Sequence, residues 1–339
     1  MHTTDYKSFL IVPDSFKGTM SAIDVCRIME ETLHERFPEA KIKSIPVADG
    51  GEGSVDAFLA AMPGIKRTCV CSGPYGERIE GYYGLLEDGT AVIEMAAAAG
   101  LPLVGDDRRV EATTTYGVGE LLMDAIDAGA TRVIMGLGVS ATNDGACGMA
   151  AACGVRFLNE DGETFVPVGG TLADIARIDT TGLDERVREI PIVTMCDIDN
   201  PLCGPTGAAA IFAPQKGASP AQVDMLDAGL AHLEELFKRD LGIDVVELPG
   251  GGAAGGMGAG MAAFFGSPLQ MGIQTVLDTA RFDELVQEAD LVFSGEGCFD
   301  GQSLHGKVVV GVAGRCKAAN KPLVAVAGVI DDTVVPAAQ

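Results

Sequence analysis

Three times in this chain a short strand-forming run, wholly apolar in the first case, stops at a loop rich in glycine and aspartate, and a helix-forming segment follows. Residues 9–12 (FLIV) lead into PDSFKG and a helix from about Ser21, residues 42–47 into ADGGEG and a helix from Ser54, and residues 290–294 (DLVFS) into GEGCFDGQSLHGK and a helix over 308–319. Runs of this length without alternation read as strands buried on both faces, and strand-loop-helix repeats close into parallel sheets with helices on both sides. Ligands of such sheets settle in the crevice at the carboxyl ends of the strands, where these polar loops lie. At the first helix start, Ala22, Val25, Cys26, Met29, Leu33 and Phe37 fall on one face, and Ser21 with Asp24 approximates a capping box.

The style changes over 67–95, where TCVC, GYYGLL and AVIEM are separated by Gly-Pro and Asp-Gly turn signals. That is an antiparallel meander, and hence a second domain. A helix over 113–128 with Val118, Leu121, Leu122, Ala125 and Ile126 inward is followed by a return to the parallel-strand style at 132–135. The second domain is therefore expected as an insertion. Residues 1–66 with 114–153 and 281–339 form a discontinuous Rossmann-like (flavodoxin-like) domain, and 67–113 with 154–280 form an inserted α/β domain containing antiparallel strands. A helix at 220–238, opened by Ser219 and Gln222, carries Val223, Leu226, Leu230, Leu233 and Phe237 as a core stripe. The glycine cluster GGGAAGGMGAG at 250–260 leads into a packed helix.

The length of 339 residues suits two domains, and 47% apolar residues supply two cores. A formal charge of −24 with no basic patch excludes nucleic acid and anionic membrane as partners, so any phosphate site must be local, built from backbone amides and a few lysines. Nine cysteines without a C-x-x-C pair and four histidines without zinc spacing read as reduced, mostly buried thiols of a cytoplasmic protein lacking a structural zinc. No apolar run reaches the length of a membrane span.

The stretch at 294–307 combines two carboxylates, glycines and a lysine between strand and helix. The glycines and the helix start suit a phosphate, while Glu296 and Asp300 make sense with a divalent cation or a substrate hydroxyl between them and it. GQSLHGK at 301–307 has the P-loop spacing, but Val308 stands where that loop places its metal-binding Ser or Thr. GLGVSA at 136–141 follows a strand and has Glu160 and Asp161 about 20 residues on, which keeps a nicotinamide-dependent dehydrogenase as an alternative. Against it, no histidine sits near a strand end, and the run 140–144 (SATND) suits a polar substrate or nucleotide loop, with Ser140 and Asn143 as its contacts. CDIDNP at 196–201 follows a strand over 190–195, and alternation would put Asp197 and Asp199 on one face, as a metal site or a carboxylate base requires. Lys17, Lys216 and Lys307 each lie beside a glycine in such a loop.

Taken together, PDSFKG (13–18), PVADGGEG (46–53), SATNDG (140–145), CDIDNPLCGP (196–205), APQKGA (213–218) and GEG-x-x-DGQSLHGK (295–307) resemble the bacterial type-1 glycerate kinases, in order and over essentially the whole chain. The resemblance implies ATP-dependent phosphorylation of D-glycerate, usually at the 2-hydroxyl, with Mg²⁺, on a discontinuous Rossmann-like domain carrying an inserted α/β domain. Three positions depart from the family pattern: Val139 stands where glycine is usual, Cys147 breaks the same glycine run, and Cys298 replaces a usual arginine. The family also usually continues beyond the position of Gln339 with a further strand and helix.

Phosphoryl transfer needs positioning, cations and a base more than covalent chemistry. On that chemistry Asp197 is the expected base, with Asp49 as the alternative, and Lys17 with Lys307 meets phosphate or substrate carboxylate. Gly50, Gly51 and Gly53 allow close backbone approach, Ser140, Asn143 and Lys216 complete the binding loops, and Glu296 and Asp300 hold Mg²⁺. A metabolite-sensing protein without turnover is the remaining alternative, and a homodimer is left open.

Overall fold

The protein, seen as a computed structural model, is described at residues 6–16, 18–47, 50–51, 53–299 and 308–331. Among them the strands in chain order are β1 (Ser8–Pro13), β2 (Lys41–Ser44), β3 (Gly64–Ser72), β4 (Arg78–Leu86), β5 (Thr90–Glu94), β6 (Arg132–Gly136) and β7 (Arg156–Leu158). They continue with β8 (Thr164–Phe165), β9 (Arg177–Asp179), β10 (Ile192–Met195), β11 (Leu269–Gln270), β12 (Leu291–Phe299) and β13 (Leu323–Ile330). Two compact units share them. The first comprises Met1–Asp49, Asp56–Pro63 and Met271–Gln339, the second Gly50–Val55 and Gly64–Gln270.

In the first unit the sheet order is β13-β12-β1-β2, and every pair is parallel. Numbered within the unit this is 2-1-3-4, the beginning of the flavodoxin-like order that the strand-loop-helix repeats predict. Phe9, Leu10, Ile11 and Val12 are all buried, as a central strand without alternation requires. Ser294, wholly buried on β12, is satisfied by donating its hydroxyl to the carbonyl of Val12 at 2.8 Å. Helix Ala22–Arg36 starts where the sequence places it, with the Ser21 hydroxyl accepting from the amide of Asp24 at 3.1 Å. Among the described strands β13 lies at one edge and leaves Val324, Val326, Val329 and Ile330 exposed.

The second unit holds a six-stranded sheet in the order β11-β10-β6-β5-β4-β3. β3, β4 and β5 form the expected antiparallel meander, while β5, β6, β10 and β11 run parallel. A separate three-stranded antiparallel sheet, β8-β7-β9, flanks it. Helix Tyr116–Asp127 buries Val118, Leu121, Leu122 and Ala125. Helix Pro220–Leu236 begins with the Ser219/Gln222 capping box and buries Leu226, Leu230 and Leu233.

The division of the chain differs from the one its pattern suggests. β6 pairs with β5 on one side and β10 on the other, so residues 114–153 belong with the second unit rather than the first. A buried parallel strand looks the same in either sheet. Its partners, which lie 40 to 60 residues away in sequence, decide the matter.

Candidate active site

In the second unit the parallel strands β5, β6 and β10 lie side by side, and β6 and β10 each release the chain into a polar loop. β6 ends at Gly136, which leads into the 137–146 loop. This segment is almost wholly buried: Thr142, Asn143 and Asp144 have no exposed surface, and Ser140 is only 8% exposed. Lys216, on a short 3-10 turn over Pro214–Lys216, reaches into it with only 2% of its surface exposed. Its ammonium donates to the Ser140 hydroxyl at 2.8 Å and to the carbonyl of Thr142 at 2.6 Å. Burial pulls the lysine pKa down to about 7, against the opposing attraction of Asp144. The structure thus joins Lys216 to Ser140 and to the loop that carries Asn143.

Asp144 organises the other side of the loop. One of its carboxylate oxygens accepts from the amide and hydroxyl of Thr115 at 2.8 and 2.9 Å and from the amide of Gly148 at 3.2 Å. Burial raises its pKa and those hydrogen bonds lower it, with burial the larger effect. The second oxygen of Asp144, the Thr142 hydroxyl and both ends of the Asn143 amide have no hydrogen-bond partner among the described residues. Buried polar atoms are satisfied almost everywhere in proteins, so a cluster of this kind marks a place for water or ligand atoms.

Glycines let the surrounding segments close on this loop. Gly50 and Gly51 lie flat on the β6 exit. The amide of Gly138 donates to the carbonyl of Gly50 at 2.9 Å, and a Cβ on Gly138 would come within 2.3 Å of the Gly51 Cα. A Cβ on Gly50 would sit 3.2 Å from the Met195 side chain and 3.4 Å from the Gly136 Cα, at the ends of β10 and β6. The two first glycines of the dinucleotide-like fingerprint are therefore filled by chain, and no room is left there for a pyrophosphate. The amides of Gly53 and Val55 donate to Glu94, the last residue of β5, at 3.3 and 2.5 Å. The 250–260 cluster likewise works by contact: a Cβ on Gly255 would meet the Thr142 carbonyl at 2.0 Å, and one on Gly260 the Gly145 carbonyl at 2.2 Å.

Val139 adopts a φ of 58°, in the left-handed region that glycine favours, which explains the usual glycine there and carries strain of roughly 1–3 kcal/mol. The next left-handed residues are Gly145 and Ala146, with φ of 59° and 65°; Cys147 is instead the first residue of helix Cys147–Ala152.

β10 stops at Met195, and the segment beyond it is not strand, so alternation does not extend to Asp197 and Asp199. Both are exposed. Cys196 is buried and turns inward, its thiol 3.3 Å from the carbonyl of Ile198. On the first unit, Glu296 sits within β12 with 4% exposure, and Cys298, at the arginine position, is exposed. Lys17, Asp49, Asp300 and Lys307 lie outside the described residues. No group of three or more metal-binding side chains occurs among the described residues. The donor chemistry of Glu296 nonetheless suits Mg²⁺, a hard cation that takes one or two carboxylates and fills its remaining positions with water and phosphate.

A cavity of about 960 Å³ in the first unit opens among Tyr6, Lys7, Ser8, Lys41 and Asp290. These residues mark the N-terminal starts of β1, β2 and β12, the end of a parallel sheet that ligands do not ordinarily use. No described helix is long and apolar enough to cross a membrane.

Sequence reading missed Glu94 and the part played by Asp144. The signal for the first was a carboxylate ending an otherwise apolar strand, AVIE. For the second it was an Asp inside a motif already singled out for Ser140 and Asn143.

Comparison with known proteins agrees with this arrangement. The profile described as the glycerate kinase family matches residues 9–339. A glycerate 2-kinase of Escherichia coli (strain K12) is 45% identical over 327 residues, covering 96% of this chain and 86% of the relative. A glycerate kinase of Bacillus subtilis (strain 168) is also 45% identical, over 323 residues, covering 95% of this chain and 85% of the relative. A crystal structure of a glycerate kinase 2 from Salmonella typhimurium LT2 superposes with a TM-score of 0.89 at 42% identity, covering 96% of this chain and 90% of that one. Buried polar loop, glycine-packed strand ends and near full-length similarity converge on one assignment: the chain belongs to the glycerate kinase family.

Proposed function

We propose that this enzyme transfers the terminal phosphoryl group of ATP to the 2-hydroxyl of D-glycerate, giving 2-phosphoglycerate and ADP. The observation that carries the reading is the buried Lys216–Ser140 pair beside the unpartnered Asn143 amide, at the carboxyl ends of parallel strands in a chain of this family. A dehydrogenase would need the glycines at 136 and 138 open to a dinucleotide, and Gly50 and Gly51 fill that space.

Asp197 takes the proton from the glycerate hydroxyl as that oxygen forms its bond to the γ-phosphorus and the bond to the ADP oxygen breaks. Asp49 is the second candidate for this role. Lys17 and Lys307 neutralise phosphate or the substrate carboxylate, and Lys216 with Ser140 and Asn143 presents a fixed set of donors and acceptors to the ligands. Gly50, Gly51 and Gly53 keep the backbone thin enough for ligands to approach. Glu296 and Asp300 hold Mg²⁺, which when bound with ATP offsets the charge of the phosphates. The field of a chain with net charge −24 opposes two anionic substrates, so these local cations must outweigh it at short range. The printed name of the Escherichia coli relative, glycerate 2-kinase, favours the 2-phosphate as product. Phosphorus NMR of the product from ATP, Mg²⁺ and D-glycerate tests this: a phosphorus coupled to one proton on carbon 2 supports it, and coupling to the two protons of carbon 3 assigns the 3-phosphate instead.

A further inference from the structure

Glu94 ends β5 with 1% of its surface exposed, an unusual place for a carboxylate. It is held by groups remote in sequence. Its Oε1 accepts from the amide of Val55 at 2.5 Å, and its Oε2 accepts from the amide of Gly53 at 3.3 Å and from the Tyr82 hydroxyl at 3.2 Å. Gly53 and Val55 flank the start of helix Ser54–Ala61, whose first amides carry the positive end of the helix dipole. A helix start needs no such device, since a local Ser, Thr, Asp or Asn would cap it without burying a charge. Glu94 does something a local cap cannot: it fixes the helix start to a particular strand end.

The segment thus fixed touches the exits of both β6 and β10. The Gly50 carbonyl accepts from Gly138 two residues before Ser140, and Gly50 lies against Met195 two residues before Asp197. Within the segment, the Ser54 hydroxyl donates to the Gly51 carbonyl at 2.7 Å and holds the turn closed. A shift of Gly53 and Val55 would therefore be carried through Gly50 and Gly51 to the exits of β6 and β10.

We propose that Glu94 is a positioning residue for phosphoryl transfer, anchoring the Gly50–Val55 segment so that the loops after β6 and β10 keep their reactive spacing. The proposal rests on the glycerate kinase reading. Glu94→Gln keeps the shape but exchanges two acceptor oxygens for one acceptor and one donor, which must face an amide or a hydroxyl. Tyr82→Phe removes one bond to the same carboxylate and leaves the charge in place.

The test is steady-state turnover of the full chain with ATP, Mg²⁺ and D-glycerate, together with melting curves, for both variants and for Tyr83→Phe. Tyr83 is the control. It is buried on the neighbouring position of β4, where its hydroxyl donates to Asp124 at 2.6 Å, away from the Gly50–Val55 segment. Glu94→Gln is expected to lower kcat about 100-fold and Tyr82→Phe about 3- to 10-fold, with each KM changed less than kcat, because misplacement by an ångström costs about this much. Tyr83→Phe is expected to melt earlier with kcat per folded enzyme unchanged. If Glu94→Gln does not fold, the Tyr82→Phe kcat decides. Folded Glu94→Gln or Tyr82→Phe with wild-type kcat overturns the proposal, as does a loss in all three variants that only follows the unfolded fraction. Failure of the wild type itself to turn over D-glycerate would instead remove the function on which the proposal rests, and the proposal with it.

Discussion

Replacing Lys216 by Met keeps the length and apolar stem of the side chain but removes a charge buried beside Ser140 and Thr142. The consequence is a change in how stability depends on pH. In the unfolded chain the lysine has its ordinary pKa of 10.5, and in the folded protein burial lowers it to about 7. Between these values the unfolded state binds more protons, so the lysine's contribution to stability is fully present above 10.5 and is lost as pH falls through about 7. One proton gives a slope of at most about 1.4 kcal/mol per pH unit, and from pH 7 to 9 the integrated gain is about 2 kcal/mol. For a unit of this size that corresponds to roughly 4–8 °C in melting temperature. The unpartnered Ser140 and Thr142 groups left by Lys216→Met add an offset that does not depend on pH, so the difference between wild type and variant isolates the lysine. Melting both proteins at pH 7 and pH 9 by circular dichroism should show the wild type gaining on the variant by that amount. A difference that stays flat across this range would mean that the lysine keeps its ordinary pKa, and the desolvated surroundings assigned to its ammonium would have to be given up.

Asp197→Asn should lower kcat by about 100-fold or more while leaving the melting temperature near wild type, because the side chain is exposed; a normal kcat moves the base to Asp49 or Asp300. Gly138→Ala should destabilise by about 1–3 kcal/mol and depress turnover, since its Cβ would meet the Gly51 backbone at 2.3 Å and a backbone cannot swing aside. Gly314→Ala should do the opposite and stabilise by about 0.5–1 kcal/mol in urea denaturation, because Gly314 is an exposed position within helix Val308–Ala318 with nothing within 4 Å of the added carbon.

Local chemistry was legible where one segment settles the matter. The unalternating run 9–12 could only be a strand buried on both faces, and Ser219 with Gln222 could only open a helix at Pro220. The polar loops at strand ends were legible for the same reason, which is why Ser140, Asn143 and Lys216 could be singled out together. What escaped depends on distant partners. β6 reads as a parallel strand in either sheet, and only its neighbours β5 and β10 assign it to the second unit. The glycines at 50, 51, 136 and 138 read as ligand loops, whereas much of their smallness is used where two backbones lie against each other. Glu94 stood out only as a carboxylate ending an apolar strand, and what it holds stayed hidden because its partners at positions 53 and 55 precede it by some 40 residues. A strained valine at 139 was visible as a departure from the family pattern, but its cost became plain only with the φ of that residue.

The proposed phosphoryl transfer from ATP to glycerate is open to direct measurement. Coupled spectrophotometric detection of ADP, with ATP and Mg²⁺ present and D-glycerate added last, measures it directly. ADP formation that begins on that addition and stops at one equivalent of D-glycerate is the predicted result. An unchanged baseline on adding the acid, in protein shown to be folded, would contradict it.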